Sequence, residues 1–342
     1  MKKYYKYYLL FISVFATHLV KAQDLHFSQY FNAPLLINPA NTGFNPDYDF
    51  RIGGNYRNQW AAISNNPYKT MSVWADAQLF NNRFENGWVG IGGALLQDVA
   101  GTGNLTSTKA FGSIAYHQLL GYNSVLSGGF NVGLTQKRID VNKLTFNSQW
   151  NGKFFEPSIP SNEPFQFSSS TYFTIQAGLN YAHFVNDNLY LNGGVSINNI
   201  NRPRESFFAQ GTNDDRVDVR YTAFANASFK IQDVWIANPN VYFSKVGTAT
   251  ELVLGMMLQR DLSADKNGSL QLLAGAYYRK GDAIIPMIGF DIKNTKFTFN
   301  YDATFSSLKN FNQSRGAYEL SIVKSGLYGN GEKSIKCPTV KF

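Results

Sequence analysis

The residues of this 342-residue chain best suited to acid–base chemistry are three histidines beyond its first 22 positions, His26, His117 and His183. A hydrolase would need one of them beside a carboxylate and a nucleophile at an accessible mouth of the fold. The strand pattern described below places His117 and His183 at strand ends on one side, and His26 before the first strand. No spacing of Cys and His is typical of a metal site. We therefore expect no enzymatic activity, no cofactor and no metal.

Four further features of the sequence could carry chemistry only in a suitable structural context. Ser306–Lys309 and Ser321–Lys324 both fit Ser-x-x-Lys, but that spacing brings two side chains together on a helix. Both motifs lie in or beside predicted strands. Gly90–Gly93 lacks the third glycine of a dinucleotide-binding loop and predicts a smooth patch where the barrel bends or something packs closely. Cys337 is the only cysteine, so an internal disulfide is excluded.

The elements that would position these residues are strands, as the stretch Thr171–Asn199 shows most clearly. Apolar residues alternate with small polar ones on both sides of a short turn at Asn186–Asn188. Side chains of a strand point to opposite faces with a period of two, so each arm has one apolar and one polar face. The apolar positions are Phe173, Ile175, Ala177, Leu179, Tyr181, Leu189, Leu191, Gly193, Val195 and Ile197.

The composition of the polar face indicates a membrane protein. It consists of Thr, Gln, Asn, Gly and Ser, whereas the solvent face of a soluble sheet usually carries Lys, Glu and Arg. Each arm has about ten residues, which is close to the length that a tilted strand needs to cross a bilayer. The hairpin therefore predicts an all-β fold, a transmembrane antiparallel β-barrel. A large soluble β-sandwich is the alternative.

Fourteen alternating segments lie between residues 47 and 324, which we predict to be the barrel. The two longest connectors, Val141–Ser170 and Ile200–Arg216, follow the fifth and seventh segments, whereas several connectors after even segments are tight. Bacterial barrels have long outer loops and short periplasmic turns, so this parity supports fourteen strands. Counts of twelve and sixteen remain open. Residues 325–342 do not alternate and are expected to form a periplasmic tail.

The first 22 residues are expected to be a secretory signal peptide. They combine a basic start, an apolar run from Tyr8 to Val20 and a small residue, Ala22, at the expected cleavage site. The apolar run is too short for a spanning helix. Removing the four lysines of this segment lowers the net charge from +8 to +4, and the remaining bases are scattered among acids, so nucleic acid is not an expected partner. We expect an integral outer-membrane protein in contact with lipid.

Residues 23–46 contain turn-forming residues and do not alternate, so we expect a non-strand segment at or in the periplasmic mouth of the barrel. Its apolar side chains could fill the lumen from the periplasmic side; they are Phe27, Tyr30, Phe31, Leu35 and Leu36. Asp76 and Asp302 fall on polar strand faces and are candidate lumen acids, with Arg220 or Lys230 as possible partners. Five tryptophans are expected in interfacial belts, with ligand platforms as the alternative: Trp60, Trp74, Trp88, Trp150 and Trp235.

Several motifs resemble those of the PorP/SprF family, outer-membrane proteins of the type IX secretion system of Bacteroidetes. The most specific is the segment before the barrel, with Phe27–Phe31, Leu35 and Asn38–Gly43. The similarity spans essentially the mature chain and is densest in its first half. Further matching positions are Tyr56–Trp60, Gln97–Asp98, Gly101, Gly103, Ala115–Gln118, Gly133–Gln136, Ile139–Asp140 and Leu144–Phe146.

The resemblance implies a role in protein secretion that composition does not indicate. Some family members act with the translocon and the periplasmic ring components, and others support export and surface anchoring of large adhesins used in gliding motility. The implied partners are a secreted surface protein or adhesin and the secretion machinery. No catalytic residue comes with the family. Two functions remain open: an interaction platform, and a passive porin or hydrophobic-substrate uptake channel.

Overall fold

The computed structural model describes residues 27–61, 64–80, 86–163, 167–207, 215–232, 234–264 and 268–328. Fourteen antiparallel strands form a closed barrel, because each strand pairs with the next and the last pairs with the first. This confirms the predicted fold class and strand number. The strands are β1 (Phe50–Gln59), β2 (Tyr68–Leu79), β3 (Gly87–Ala100), β4 (Leu105–Leu120), β5 (Ser124–Arg138), β6 (Ser169–Asn186), β7 (Leu189–Asn198), β8 (Arg220–Ile231), β9 (Trp235–Val246), β10 (Ala249–Asp261), β11 (Leu270–Arg279), β12 (Ala283–Ile292), β13 (Thr295–Thr304) and β14 (Arg315–Gly326).

Helical structure in the described residues consists of single turns. The α-helices are α1 (Pro34–Ile37) and α2 (Lys309–Asn312), and the 3-10 turns are Tyr30–Asn32, Pro39–Asn41, Val141–Lys143 and Asn147–Gln149. In the part of the chain that the structure describes, no helix is long and apolar enough to span a membrane. The predicted signal peptide, residues 1–22, lies outside the described residues.

The outer wall of the barrel is apolar and the inner wall is polar, as β5 illustrates. Phe130 and Val132 are 60% and 56% exposed, whereas Asn131 and Thr135 are 1% and 0% exposed. A soluble sandwich would bury the apolar face and expose the polar one, so the observed order is that of a barrel surrounded by lipid. The soluble alternative is therefore excluded by the direction in which the side chains point.

The two ends of the barrel differ in the length of their connections. The longest connections, residues 139–168 and 199–219, follow β5 and β7. The connections after β6 and β12 have two residues each, 187–188 and 293–294. We call these the loop end and the turn end. By the rule for bacterial barrels, the loop end faces the outside and the turn end faces the periplasm.

Residues 27–46, which we call the N-terminal segment, lie inside the barrel along its axis. Ser28 contacts Asp302, near the loop end of β13, and Gly43 contacts Asp76, near the turn end of β2. The segment therefore runs from the loop half of the lumen to the turn end, where the chain enters β1. Glycines on the wall make room for it, because a Cβ atom at Gly90 would overlap the carbonyl oxygen of Thr42.

Candidate functional site in the barrel lumen

Four charged side chains from four strands meet in the loop half of the lumen and form what we call the lumen cluster. They are Arg57 on β1, Arg279 on β11, Asp302 on β13 and Glu319 on β14, all buried. Arg57 lies 2.8 Å (Nη2 to Oδ2) from Asp302 and 3.2 Å (Nη1 to Oε2) from Glu319. Arg279 Nη1 lies 3.0 Å from Oδ2 of Asp302. The buried charges are thus paired, as a low-dielectric interior requires.

The lumen cluster binds the start of the N-terminal segment through its backbone. Glu319 accepts hydrogen bonds from the backbone N–H groups of Ser28 and Gln29, at 2.9 and 2.8 Å. The Ser28 hydroxyl donates to Asp302 Oδ2 at 2.9 Å and accepts from Arg279 Nη2 at 2.5 Å and from Arg57. Charge-assisted hydrogen bonds of this kind are stronger than neutral ones. The cluster therefore anchors residues 28 and 29 to four strands at once.

Local geometry helps to aim Asp302 at this position. The pairing of β13 with β14 shifts register between Asp302 and Ala303. Such irregularities bend a strand and redirect a side chain next to functional positions. Asn300, two residues earlier on the same face, donates to Asp302 Oδ1 at 2.9 Å and accepts from Gln29 Nε2 at 2.6 Å. The contact between β13 and the N-terminal segment thus continues from Asp302 to the side-chain amide of Asn300.

A second anchor holds the segment at the turn end. Asp76 accepts from the backbone N–H of Gly43 at 2.7 Å and forms an ion pair with Arg51. Trp88 Nε1 donates to the carbonyl oxygen of Gly43 at 3.0 Å. His117 Nε2 donates to the carbonyl oxygen of Thr42 at 2.8 Å, which leaves Nδ1 to accept from Ser127 Oγ at 2.7 Å. Side chains from β2, β3 and β4 thereby form hydrogen bonds with the backbone polar groups of residues 42 and 43.

The middle of the segment rests on β5, β6 and β7. Asn38 Nδ2 donates to the carbonyl oxygen of Leu179 at 2.8 Å, and Ser196 Oγ donates to that of Ile37 at 2.6 Å. A Cβ atom at Gly129 would come within 2.6 Å of the carbonyl group of Pro39. The wall is therefore shaped for the backbone of the segment as well as for its side chains.

The five candidate plug residues lie in the lumen against the barrel wall. Phe27, Tyr30 and Leu35 are buried, whereas Phe31 and Leu36 are partly buried. Tyr30 stacks on Tyr242 with ring centroids 4.8 Å apart, and Phe31 stacks on Tyr277 at 5.4 Å. The Tyr30 hydroxyl donates to Asn240 Oδ1 at 2.5 Å, and burial raises its pKa, which keeps it protonated. Leu35 packs with Phe27 and Trp74.

The structure places both candidate lumen acids, Asp76 and Asp302, on the inner wall. The prediction of their ion-pair partners was wrong. Asp76 pairs with Arg51, and Asp302 pairs with Arg57 and Arg279, instead of Arg220 or Lys230. Closure of the barrel brings Arg57 to Asp302, because β1 lies beside β14 and next but one to β13, whereas Arg51 lies directly opposite Asp76 in the pairing of β1 with β2. Sequence reasoning therefore missed Arg57, Arg279 and Glu319.

The prediction that all five tryptophans lie in the interfacial belts was wrong for two of them, Trp74 and Trp88. Trp74 is 2% exposed and Trp88 is 3% exposed, and both point into the lumen. Trp74 Nε1 donates to the carbonyl oxygen of Asn32 at 3.0 Å, as Trp88 does to that of Gly43. A buried indole N–H requires an acceptor, and the backbone of the N-terminal segment supplies it in both cases.

In the part of the chain that the structure describes, the acids of the two anchors already have partners. The buried acids Asp76, Asp302 and Glu319 are all engaged by arginines or backbone N–H groups. No group of three or more potential metal ligands occurs among the described residues. The geometry is that of an anchor for a segment of polypeptide.

The family assignment rests on residues 19–323, which match the model described as Type IX secretion system membrane protein PorP/SprF. The chain belongs to the PorP/SprF family. This confirms the resemblance noted in the sequence. The matched region includes the whole N-terminal segment and the strands through β13, so both anchors fall within it. The chain is therefore an outer-membrane barrel of the type IX secretion system.

Comparisons with other proteins add information on the fold of this PorP/SprF member. No curated protein sequence matches it significantly. The toluene transporter TodX of Pseudomonas putida is 11% identical, with 85% of this chain and 92% of that chain covered and a TM-score of 0.50. The toluene transporter TbuX of Ralstonia pickettii is 10% identical, with the same coverages and a TM-score of 0.47. At 11% identity the likeness to TodX shows a shared barrel fold and no more.

Proposed function

We propose that this protein supports the export and surface anchoring of secreted proteins, such as gliding adhesins, as an interaction platform with a closed lumen. The observation that carries the proposal is the N-terminal segment, which is held at both ends inside the barrel. Its loop-end anchor is the lumen cluster, and its turn-end anchor is built from Asp76, Trp88 and His117. A segment held in this way acts as a plug. The barrel therefore binds partners at its loop end and turn end and does not serve as an open channel.

The loop end offers an ordered surface for a secreted partner. In the connection between β5 and β6, Asn151 Oδ1 accepts from the backbone N–H groups of Lys153 and Phe154, both at 3.0 Å. The aromatic rings of Trp150 and Phe154 are about half exposed above this turn. Aromatic side chains on an ordered loop bind with little loss of conformational entropy. This surface is where we expect contact with exported cargo.

The turn end is where we expect the secretion machinery to act. Signal-peptide removal near Ala22 would leave only residues 23–26 ahead of Phe27. Residues 327–342 would extend from β14 into the periplasm, and Tyr328 at the start of this tail donates its backbone N–H to Asp49 at 2.7 Å. A periplasmic ring component is thus the expected partner on this side.

Affinity purification from the native outer membrane tests the proposal. We expect recovery of a large secreted surface protein or of a periplasmic ring component, and deletion of the gene should reduce that surface protein on cells. A variant without residues 145–162 should lose the surface protein while the barrel still folds. Recovery of the barrel alone after mild cross-linking, with unchanged surface export in the deletion strain, would refute the platform function.

Planar-bilayer recording distinguishes the platform from a passive or hydrophobic-substrate channel. A lumen filled by residues 27–46 should give small, unsteady currents. Large and steady conductance from the purified, folded barrel would favour the channel instead. Deleting residues 27–40 provides the positive control, because a fourteen-stranded barrel without its plug has room for an aqueous lumen.

A further inference from the structure

The connection between β7 and β8 contains a short two-stranded ribbon at the loop end of the barrel. An isolated antiparallel bridge pairs Arg204 with Arg216. Backbone hydrogen bonds of 2.8 and 2.9 Å lie on either side of this bridge, from the N–H of residue 205 to the carbonyl oxygen of 215 and from the N–H of 217 to the carbonyl oxygen of 203. We call residues 203–205 and 215–217 the arginine ribbon.

The bridge places two like charges next to each other. Because the hydrogen bonds lie on either side of Arg204 and Arg216, these residues form a non-hydrogen-bonded pair. In such a pair the Cα atoms are only about 4.5 Å apart and the side chains are at their closest. Like charges directly opposite each other destabilise paired strands. The arrangement therefore has a cost that a bound anion would remove.

Both guanidinium groups have the capacity to bind such an anion. A guanidinium has five N–H donors in a planar fork. Arg204 is 60% exposed, and its carboxylate neighbour among the described residues, Asp215, lies 3.8 Å from Nε. Arg216 is exposed and donates from Nη1 to the carbonyl oxygen of Arg202 at 3.3 Å. These contacts use a minority of the donors of the pair.

The acidic residue next to Arg204 in the chain, Glu205, turns toward the barrel wall. Its Oε1 lies 2.6 Å from Lys137 Nζ, and its Oε2 accepts from the Tyr172 hydroxyl at 2.5 Å. Neighbouring residues of a strand point to opposite faces, so Arg204 and Arg216 project from the other face of the ribbon. The carboxylate of Glu205 is thus engaged away from the arginine pair.

The position of the ribbon favours a polypeptide over lipid as the source of the anion. Tyr172 is buried on the inner wall, and Lys137 shares its strand face with Thr135, which is 0% exposed. Because Glu205 contacts two inner-wall side chains, the ribbon lies over the mouth of the barrel. Lipid headgroups lie instead beside outward-facing side chains, such as Phe173 on β6.

The inner wall below the ribbon is also basic. Lys109 on β4 and Arg220 on β8 line one cavity in the loop half of the lumen. Positive potential on this side of the mouth attracts anionic segments and speeds their association. The acids of the lumen cluster lie on β13 and β14, on the opposite side of the ring.

We propose that the arginine ribbon binds Asp or Glu carboxylates of an acidic segment of the secreted partner at the mouth of the barrel. The planar fork of Arg204 or Arg216 matches a carboxylate with two parallel hydrogen bonds. A carboxylate beside both guanidinium groups also removes their mutual repulsion. This inference rests on the proposed function as an interaction platform and identifies the chemistry of the partner.

The test measures binding of a defined peptide to the full-length protein in lipid nanodiscs. The probe is a fluorescent, end-blocked peptide of alternating Glu and Gly, and its neutral counterpart has Gln in place of Glu. The test variant is Arg204→Ala, Arg216→Ala. The matched control is Lys143→Ala, Lys153→Ala, which removes the same charge from exposed positions of the β5–β6 connection at the same end.

We expect the test variant to bind the acidic peptide at least about tenfold more weakly than the unaltered protein, because charge-assisted hydrogen bonds are lost. The neutral peptide should show a similar loss with the unaltered protein, and the control variant should stay within about twofold. Hydrogen exchange in the ribbon should not rise in the test variant, since removing like charges relieves repulsion. That result separates loss of a ligand contact from unfolding of the ribbon.

Three outcomes would overturn the proposal. Equal binding of the acidic peptide by the test variant and the unaltered protein would exclude the arginines as the site. An equal loss in the control variant would show attraction by net charge alone. Stronger competition by dihexanoyl phosphatidic acid than by unlabelled acidic peptide would assign the arginines to lipid phosphate.

Expression of the variants in the deletion strain separates this inference from the platform function. We expect less of the secreted surface protein on cells that carry the test variant than on cells that carry the control variant. Normal surface export with the test variant would overturn the assignment of the partner. The platform function would stand in that case if the deletion strain itself lost the surface protein.

Discussion

The anchor at the loop end makes a quantitative prediction for Glu319→Gln. The carboxylate is 0% exposed, accepts two backbone N–H groups of the N-terminal segment and pairs with Arg57. Removing one partner of a buried ion pair typically costs about 3–5 kcal/mol. We expect this cost to appear as release of residues 27–33 from the wall, since the strands keep their own hydrogen bonds.

Hydrogen–deuterium exchange followed by mass spectrometry measures this release. A cost of about 3–5 kcal/mol corresponds to a rise in the open population of roughly 10² to 5 × 10³ fold, and exchange in residues 27–33 should accelerate accordingly. Exchange in β5 and β6, which do not contact Glu319, should stay the same. Small bilayer currents should also become larger and more frequent.

A matched control is Asp140→Asn, which removes an exposed ion pair with Lys143 at 3.6 Å near the loop end. Such pairs contribute about 0–1 kcal/mol, so exchange in residues 27–33 should be unaffected. If Glu319→Gln leaves exchange of residues 27–33 within about threefold of the unaltered protein while the barrel is folded, the cluster is not the anchor that we describe.

Three further tests, two of them with a control substitution, concern the wall of the barrel. Gly90→Ala should displace the N-terminal segment and speed its exchange, whereas Gly112→Ala, where a Cβ atom meets nothing within 4 Å, should not. Phe130→Arg on the lipid-facing side should destabilise the folded barrel in vesicles by about 2–4 kcal/mol, and Phe130→Leu should cost far less. Trp74→Phe keeps an aromatic side chain, although a smaller one, but loses the hydrogen bond to the carbonyl oxygen of Asn32, so segment exchange should rise by roughly three- to tenfold; unchanged exchange would contradict that role.

The barrel itself was predictable because alternation is a local property. In β5 the pattern of Leu126, Phe130 and Val132 against Ser127 and Asn131 is complete within a dozen residues and needs no knowledge of neighbours. The same alternation of inward and outward side chains would also have corrected the prediction for one tryptophan. Trp74 is two residues from Asp76, so an acid assigned to the lumen places that indole in the lumen as well. Applying the period of two consistently would have removed Trp74 from the predicted belt.

The lumen cluster was not predictable in the same way. Arg57 and Asp302 are 245 residues apart in sequence, and their contact depends on closure of the barrel between β1 and β14. Face assignment indicates which charges point inward, but strand stagger and the register shift at Asp302 decide which of them meet. Asp302 therefore pairs with arginines from β1 and β11, on either side of it in the barrel, while Arg220 on β8 lies farther around the wall.

The position of the cluster links the plug to closure of the barrel. Arg57 on β1 and Glu319 on β14 are paired directly across the strands that close the ring, at a register where Arg57 lies opposite Glu319. Ser28 and Gln29 bind the same carboxylate, so the N-terminal segment bridges the closing strands from inside. Because this segment continues into β1 at the other end, one stretch of about twenty residues spans the lumen and contacts both strands of the seam. Filling the lumen and closing the ring are thus served by one set of buried charges, and a partner that displaced the plug would have to replace those contacts.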